Sequence, residues 1–210
     1  MDKKTKMLAE QIIKRNIVCK AVINAMSIID RDLFVPKEIK DKAYDDCPLP
    51  IGYGQTISQP YIVAFMLEKL EVKETDNILE VGAGSGYQAA ILTKLAHHVT
   101  ALELIPELAI EAKSRCKQLG LDNIEIINAD GYKGWEQNAP YDKIIVAAAA
   151  PFIPEALIQQ LKPGGILIIP VGKYMDKQKI KIITKDMNNN ISSENSLDVR
   201  FVPLVQKNEP

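Results

Sequence analysis

Histidine and cysteine are scarce in this 210-residue chain, and it has no long apolar run. The two histidines, His97 and His98, are adjacent, so they point apart on either a helix or a strand. That spacing argues against a His-based metal site or a Ser-His-Asp triad, and no metal is expected. The three cysteines, Cys19, Cys47 and Cys116, are odd in number and far apart. They make neither a disulfide framework nor a zinc spacing, and they fit a reducing, cytoplasmic compartment. No stretch approaches the ~20 apolar residues of a membrane span. The opening MDKKTKMLAEQIIKR lacks the apolar core of a signal peptide. A formal net charge of −1 gives no electrostatic reason to expect nucleic acid or an anionic membrane as a partner. What remains is an ordinary soluble composition, 47% hydrophobic and 25% charged, long enough for one well-cored domain and predicted to be a monomer.

The first fifty residues carry helical spacing at Leu8, Ile12 and Ile13 and again at Val18, Val22 and Ala25. DRDLFVP stops the helix, because Pro36 disfavours it at Val35. PLPIGYGQTISQP reads as a loop. From Thr75 the texture changes. DNILEV, HVTALEL, NIEIINAD, YDKIIVAAAA and GGILIIPVG read as strands, alternating with helical stretches such as YQAAILTKLA and IPELAIEAKSRCKQLG. Short connections between alternating strands and helices predict a doubly wound α/β fold with a mostly parallel sheet. The tail KIKIITKD–NNNISSEN–LDVRFVPL reads as a C-terminal antiparallel strand pair around a polar loop. We expect a single domain over 1–210. It divides into an N-terminal helical and loop segment (1–59), a cofactor-binding core (60–175) and the strand pair (176–210).

In such sheets ligands bind beyond the carboxyl ends of the strands, where the winding reverses. LEVGAGSGYQAA sits at the end of the first sheet strand, with Gly82, Gly84 and Gly86 able to turn tightly beside a ligand. A dinucleotide fingerprint needs a third glycine where Tyr87 stands. The spacing is instead acidic-x-G-x-G-x-G from Glu80, a form usual for S-adenosylmethionine. Glu80 suits a ligand bearing positive charge. Glu103, at the end of the next strand, can accept from a ribose diol. Asp130 and Gly131 end the third, within reach of an adenine edge. The alternative for Glu103 and Asp130 is that of solvent-exposed loop acids.

At this point the chain resembles the protein-L-isoaspartate O-methyltransferases. The likeness runs through DRDLFVP, AYDDCPLPIGYGQTISQP, LEVGAGSGYQAA (with Ala83 where Thr is frequent), VAAAAPFIPEAL, LKPGGILIIPVG and RFVPL, in family order. The resemblance implies a Rossmann-like methyltransferase fold. It also implies methyl transfer from S-adenosyl-L-methionine to the free α-carboxylate of L-isoaspartyl residues in damaged proteins and peptides. The ester then closes to a succinimide, and S-adenosyl-L-homocysteine is released. Carried over by position, Ser58 is the active-site serine. Thr56, Ile57, Ser58 and Gln59 line the cofactor and the reacting carboxylate. Glu80, Gly82, Gly84, Ser85, Gly86, Glu103, Asp130 and Gly131 bind cofactor. The resemblance also places the alanine run 147–150 and the stretch around Val205 near a substrate groove.

The residues themselves leave alternatives. An α-carboxyl group is already ionised at neutral pH, so no general base is needed, which suits a chain poor in histidine. GQTISQP could be an anchored loop over the methyl donor, or Ser58 could simply cap the helix that Pro60 begins. The alanine run could leave room for a peptide or merely pack closely. Rival functions are a methyltransferase acting on a small acid or an RNA base, a nicotinamide enzyme, and a non-catalytic nucleoside sensor.

Overall fold

The computed structural model describes residues 1–173 and 176–206; the core and tail boundary expected at 175/176 and the last four residues lie outside or at the margin of the described residues. The N-terminus is helical but not one helix. A short α1 (Lys3–Met7) is capped by Asp2, whose side chain accepts from the Thr5 N–H. A wide turn (Leu8–Ile12) and a tight one (Ile13–Arg15) follow, ending at Asn16 in the left-handed conformation. Helix α2 spans Lys20–Ile28, and DRDLFVP contributes the tight turn Arg31–Phe34.

PLPIGYGQTI, expected as loop, forms a two-stranded hairpin of β1 (Leu49–Gly52) and β2 (Gln55–Ile57). Three successive positive φ values at Gly52, Tyr53 and Gly54 (91°, 53° and 70°) make the turn between them. The hairpin feeds α3 (Pro60–Leu70), with Pro60 at its start, where a missing N–H costs nothing.

The sheet strands are β3 (Asn77–Val81), β4 (His98–Glu103), β5 (Ile124–Asn128), β6 (Tyr141–Val146), β7 (Leu161–Val171), β8 (Gln178–Lys185) and β9 (Ile191–Val199). They are joined by α4 (Tyr87–Leu92), α5 (Pro106–Gln118) and α6 (Glu155–Gln160). The order is β5-β4-β3-β6-β7-β8-β9; the first five strands are parallel and the last two antiparallel. The winding therefore reverses between β3 and β6. Adjacent residues alternate between faces: Ile78, Ile145 and Ile168 pack into one apolar cluster, Leu79, Ile144 and Leu167 into the other. Both faces are covered, so these strands read as continuous apolar runs.

The tail departs from expectation in two places. NNNISSEN is mostly strand, not loop: β9 begins at Ile191 and pairs with β8 from there to Val199. Only residues 186–190 turn, around the Asp186 carboxylate, which accepts from the Asn188 and Asn190 N–H groups. Polar residues suit an edge strand, which needs no buried face and gains from charge. RFVPL, expected as strand, leaves the ladder after Val199. Gln178 replaces the missing strand bonds. Its amide accepts from the Phe201 N–H (2.6 Å) and donates to the Phe201 carbonyl (3.2 Å), while Ala149 exchanges main-chain bonds with Val202 and Leu204. No helix among the described residues is long and apolar enough to cross a membrane.

Candidate active site

The glycine loop leaves β3 at its carboxyl end. Gly82, Gly84 and Gly86 all have positive φ (88°, 53° and 85°), a region costly for residues with a Cβ. The loop is tied to β4, since the Gly82 and Ala83 N–H groups both donate to the Leu102 carbonyl. It is also held by side chains. Glu103 accepts from the Gly84 N–H (2.7 Å) and the Ile105 N–H (3.0 Å), and Arg115 on α5 donates to the Ser85 carbonyl (2.6 Å). Below it Tyr87 is buried edge-on against Phe34, with the buried Arg31 guanidinium 5.0 Å from its ring. The block DRDLFVP thus supports the loop from beneath.

Glu80 is fully buried. One oxygen accepts from the Gln88 amide (2.9 Å); the other has no partner among the described residues. Burial pushes its pKa up to about 8, against the lowering effect of Gln88, with Glu103 adding a further raising influence. An orphaned carboxylate oxygen on a residue that lines a cavity is a place for a ligand cation. That small cavity, about 40 Å³, is lined by Ile57, Ser58, Glu80, Gly82, Ser85 and Gln88 among others.

Two further hollows adjoin it. A narrow one of about 60 Å³ runs past Gly84, Glu103, Gly131, Ala148 and Val205. A wider cleft of about 440 Å³ is lined by Ser58, Gln59, Ile62, Arg200 and Phe201. Thr56 and Ala147 line all three, and Ser58 lines both the wide cleft and the Glu80 cavity. Neither the Thr56 nor the Ser58 hydroxyl has a partner among the described residues.

The structure therefore gathers Thr56, Ile57, Ser58, Glu80, Gly82, Gly84, Ser85, Glu103 and Gly131 around adjoining cavities. Gly86 stands behind, at the start of α4, where a Cβ would meet Ala112 at 3.2 Å. Asp130 is buried and accepts from the Tyr132 N–H, and it lines none of these three cavities; its neighbours Ala129 and Gly131 line the narrow one. Gln59 donates to Asp46, which in turn meets Arg15, so the hairpin is tied to the N-terminal segment. The capping alternative for Ser58 fails on geometry: Gln59 is the residue flanking α3, and no side chain caps that end. Sequence reading missed the role of Gln178 and the charged wall at Asp198 and Arg200. The one signal for Gln178 was an amide in a buried strand position, since its partner lies 23 residues away.

The comparisons with known proteins agree with one another. A family model described as protein-L-isoaspartate(D-aspartate) O-methyltransferase matches residues 2–209. A protein-L-isoaspartate O-methyltransferase 2 from Archaeoglobus fulgidus is 48% identical over 206 residues, covering 97% of this chain and 93% of the relative. A protein-L-isoaspartate O-methyltransferase from Thermosipho melanesiensis is also 48% identical, over 92% of this chain and 98% of its own. Among solved structures, a Plasmodium falciparum protein described as a protein-L-isoaspartate O-methyltransferase, crystallised with S-adenosyl-L-homocysteine, superposes with a TM-score of 0.85. It is 30% identical and covers 99% of this chain and 100% of its own.

Proposed function

This chain belongs to the protein-L-isoaspartate(D-aspartate) O-methyltransferase family, and we propose a division of labour among its residues for the reaction that family performs. The chain is an S-adenosylmethionine-dependent methyltransferase that esterifies the α-carboxylate of L-isoaspartyl residues in damaged proteins and peptides. S-adenosylmethionine supplies the methyl group as a sulfonium, a good leaving group for attack by an oxygen anion.

The observation that carries the residue assignment is the unpartnered oxygen of buried Glu80 beside the glycine loop. It fits the ammonium end of the donor's amino-acid tail. Gly82, Gly84 and Ser85 offer close main-chain approach. Glu103 is fixed by two N–H groups and still has acceptor capacity for a ribose diol. Gly131 leaves a flat wall for the base. Asp130 acts by shaping that turn through Tyr132.

The nucleophile needs no base, because an α-carboxylate is ionised above a pKa of about 3.3–3.7. What it needs is orientation and release from water. Ser58, between the wide cleft and the Glu80 cavity, is placed to donate its hydroxyl to the attacking carboxylate. Thr56 adds a second hydroxyl, and the first turn of α3 adds N–H groups that have no partners within the helix. Holding two reactants in line is worth about 7–11 kcal/mol in well-aligned cases. Donation to the carboxylate must stay modest, since a strong bond would quench the nucleophile. A neutral hydroxyl serves better there than a cation. Methyl transfer cancels charge, so the reaction also gains from a site drier than water.

The three free cysteines favour work in the cytoplasm, and the ordinary surface charge favours a monomer that binds damaged protein rather than nucleic acid. Residues 1–210 act as one unit in this reading. The test uses two synthetic peptides identical except for L-isoaspartate in place of L-aspartate, with methyl-labelled S-adenosylmethionine. Base-labile label on the isoaspartyl peptide alone is expected. Equal label on both, or on neither while S-adenosyl-L-homocysteine still binds, contradicts the substrate assignment.

A further inference from the structure

The wide cleft has a charged wall that the methyl-transfer chemistry does not use. Among its lining residues only Asp198 and Arg200 carry charge. Asp198 is spoken for: Lys179 on the neighbouring strand lies 2.8 Å from its carboxylate and holds its pKa below the usual range. Arg200 is exposed and has neither an ion-pair nor a hydrogen-bond partner among the described residues. The cleft therefore presents one uncompensated guanidinium.

Its position is not accidental to the fold. Arg200 follows the last residue of β9 and precedes Phe201, whose N–H and carbonyl are both gripped by the fully buried Gln178. The clamp fixes the main chain on one side of Arg200 and the β8–β9 ladder fixes it on the other. The side chain is free while its root is rigid, an arrangement suited to capturing a partner without reordering the backbone.

We propose that Arg200 is a specificity-determining residue that selects isoaspartyl peptides bearing an acidic side chain near the residue being methylated. The proposal rests on the function assigned above and names the class of substrate that function favours. Ser58 and Arg200 line the same cleft of about 440 Å³, and an extended peptide advances about 3.3–3.6 Å per residue. A peptide whose isoaspartate lies at Ser58 thus brings side chains one to three residues away within reach of Arg200. Guanidinium and carboxylate match as a planar, two-pronged pair. Acidic neighbours should gain, neutral ones should be indifferent, and basic ones should be repelled.

The experiment compares isoaspartyl peptides carrying Glu, Gln or Lys at each of the three positions on either side. It reads kcat/KM with the wild type, Arg200→Gln and Arg200→Lys, with S-adenosyl-L-homocysteine affinity as a control. At one or more positions the wild type should favour Glu over Gln, and Gln over Lys, by about two- to fivefold per step, the range of an exposed ion pair. The preference should shrink in 0.5 M salt. Arg200→Gln should flatten it, Arg200→Lys should retain part of it, and cofactor affinity should not move. A flat preference in the wild type overturns the proposal. So does an Arg200→Gln variant that slows all peptides equally, for then Arg200 acts on the reacting carboxylate or on the fold. If the wild type methylates no isoaspartyl peptide at all, the functional assignment itself falls, a result distinct from a flat preference.

Discussion

On the cofactor side of Ser58 the site is made of buried strand ends; on the peptide side it is made of a hairpin and a strap. The buried side has Glu80, Glu103 and three positive-φ glycines at the ends of adjacent parallel strands, tied by main-chain bonds to Leu102 and by Arg115 to α5. The open side draws on residues from three distant parts of the chain: the hairpin segment with Pro48, Thr56 and Ser58, then Ala147, and the strap from Arg200 to Val202. The first is small, with cavities of about 40 and 60 Å³. The second is wide and rests on the long-range clamp between Gln178 and Phe201. A constant cofactor and a variable peptide ask for that asymmetry.

The sharpest way to break the comparison is to fill the cofactor wall. A Cβ at Gly131 would lie 2.2 Å from Val81 Cγ1, at the carboxyl end of β3. Gly131→Val is expected to abolish S-adenosyl-L-homocysteine binding in calorimetric titration and to lower stability by about 1–3 kcal/mol, the usual cost of overpacking. Retained affinity would mean that this wall does not face the ligand.

Next in size is a pH effect confined to the buried side. Glu80, with a pKa raised to about 8, is mainly protonated at neutral pH before ligand binds, yet it must be ionised to hold an ammonium. Affinity for S-adenosyl-L-homocysteine should therefore rise with pH from 6 to 8, approaching about tenfold per unit, and level off above. Glu80→Gln should flatten the slope. The stability of the free protein runs the other way. The unfolded carboxyl releases its proton near the ordinary value of 4.5 while the folded one keeps it to about 8, so Glu80's contribution declines across that window. Denaturant titrations of wild type and Glu80→Gln across pH 4–9 check that sign.

The smallest effect on binding belongs to the strap. Gln178→Leu leaves the Phe201 N–H and carbonyl without their partner, and each orphaned group costs about 1–3 kcal/mol. Peptide KM should rise about tenfold, in line with a loss of roughly 1.4 kcal/mol in binding, with little change in cofactor affinity. Equal losses in both would show that strap and glycine loop are one unit.

The same asymmetry decided what could be read in advance. Glycine spacing and strand-end acids are local signals, so the parallel core and the residues from Glu80 to Glu103 were legible. The antiparallel tail was legible as a strand pair but not in its limits. An edge strand as polar as ISSENS carries no alternation, and the alternation of LDVRF runs on past the strand's end at Val199. The β1–β2 hairpin was hidden because its prolines and glycines read as loop. Gln178 and Arg200 were hidden because their meaning depends on partners, or on the lack of them, across the sheet. Asp130 is a cofactor-binding candidate from its place after a strand; in the fold one of its carboxylate oxygens accepts from the Tyr132 N–H, a local role that the sequence does not signal.

We propose that Ser58 acts on the peptide carboxylate at the meeting point of the two sides and holds up neither the fold nor cofactor affinity. Ser58→Ala, assayed for methyl ester on an isoaspartyl peptide beside its affinity for S-adenosyl-L-homocysteine, tests this most directly. A fall in kcat/KM of about a hundredfold is expected, the scale for losing the alignment of a reacting group, with cofactor affinity and melting temperature close to wild type. Near-normal methylation by a folded Ser58→Ala protein would contradict it.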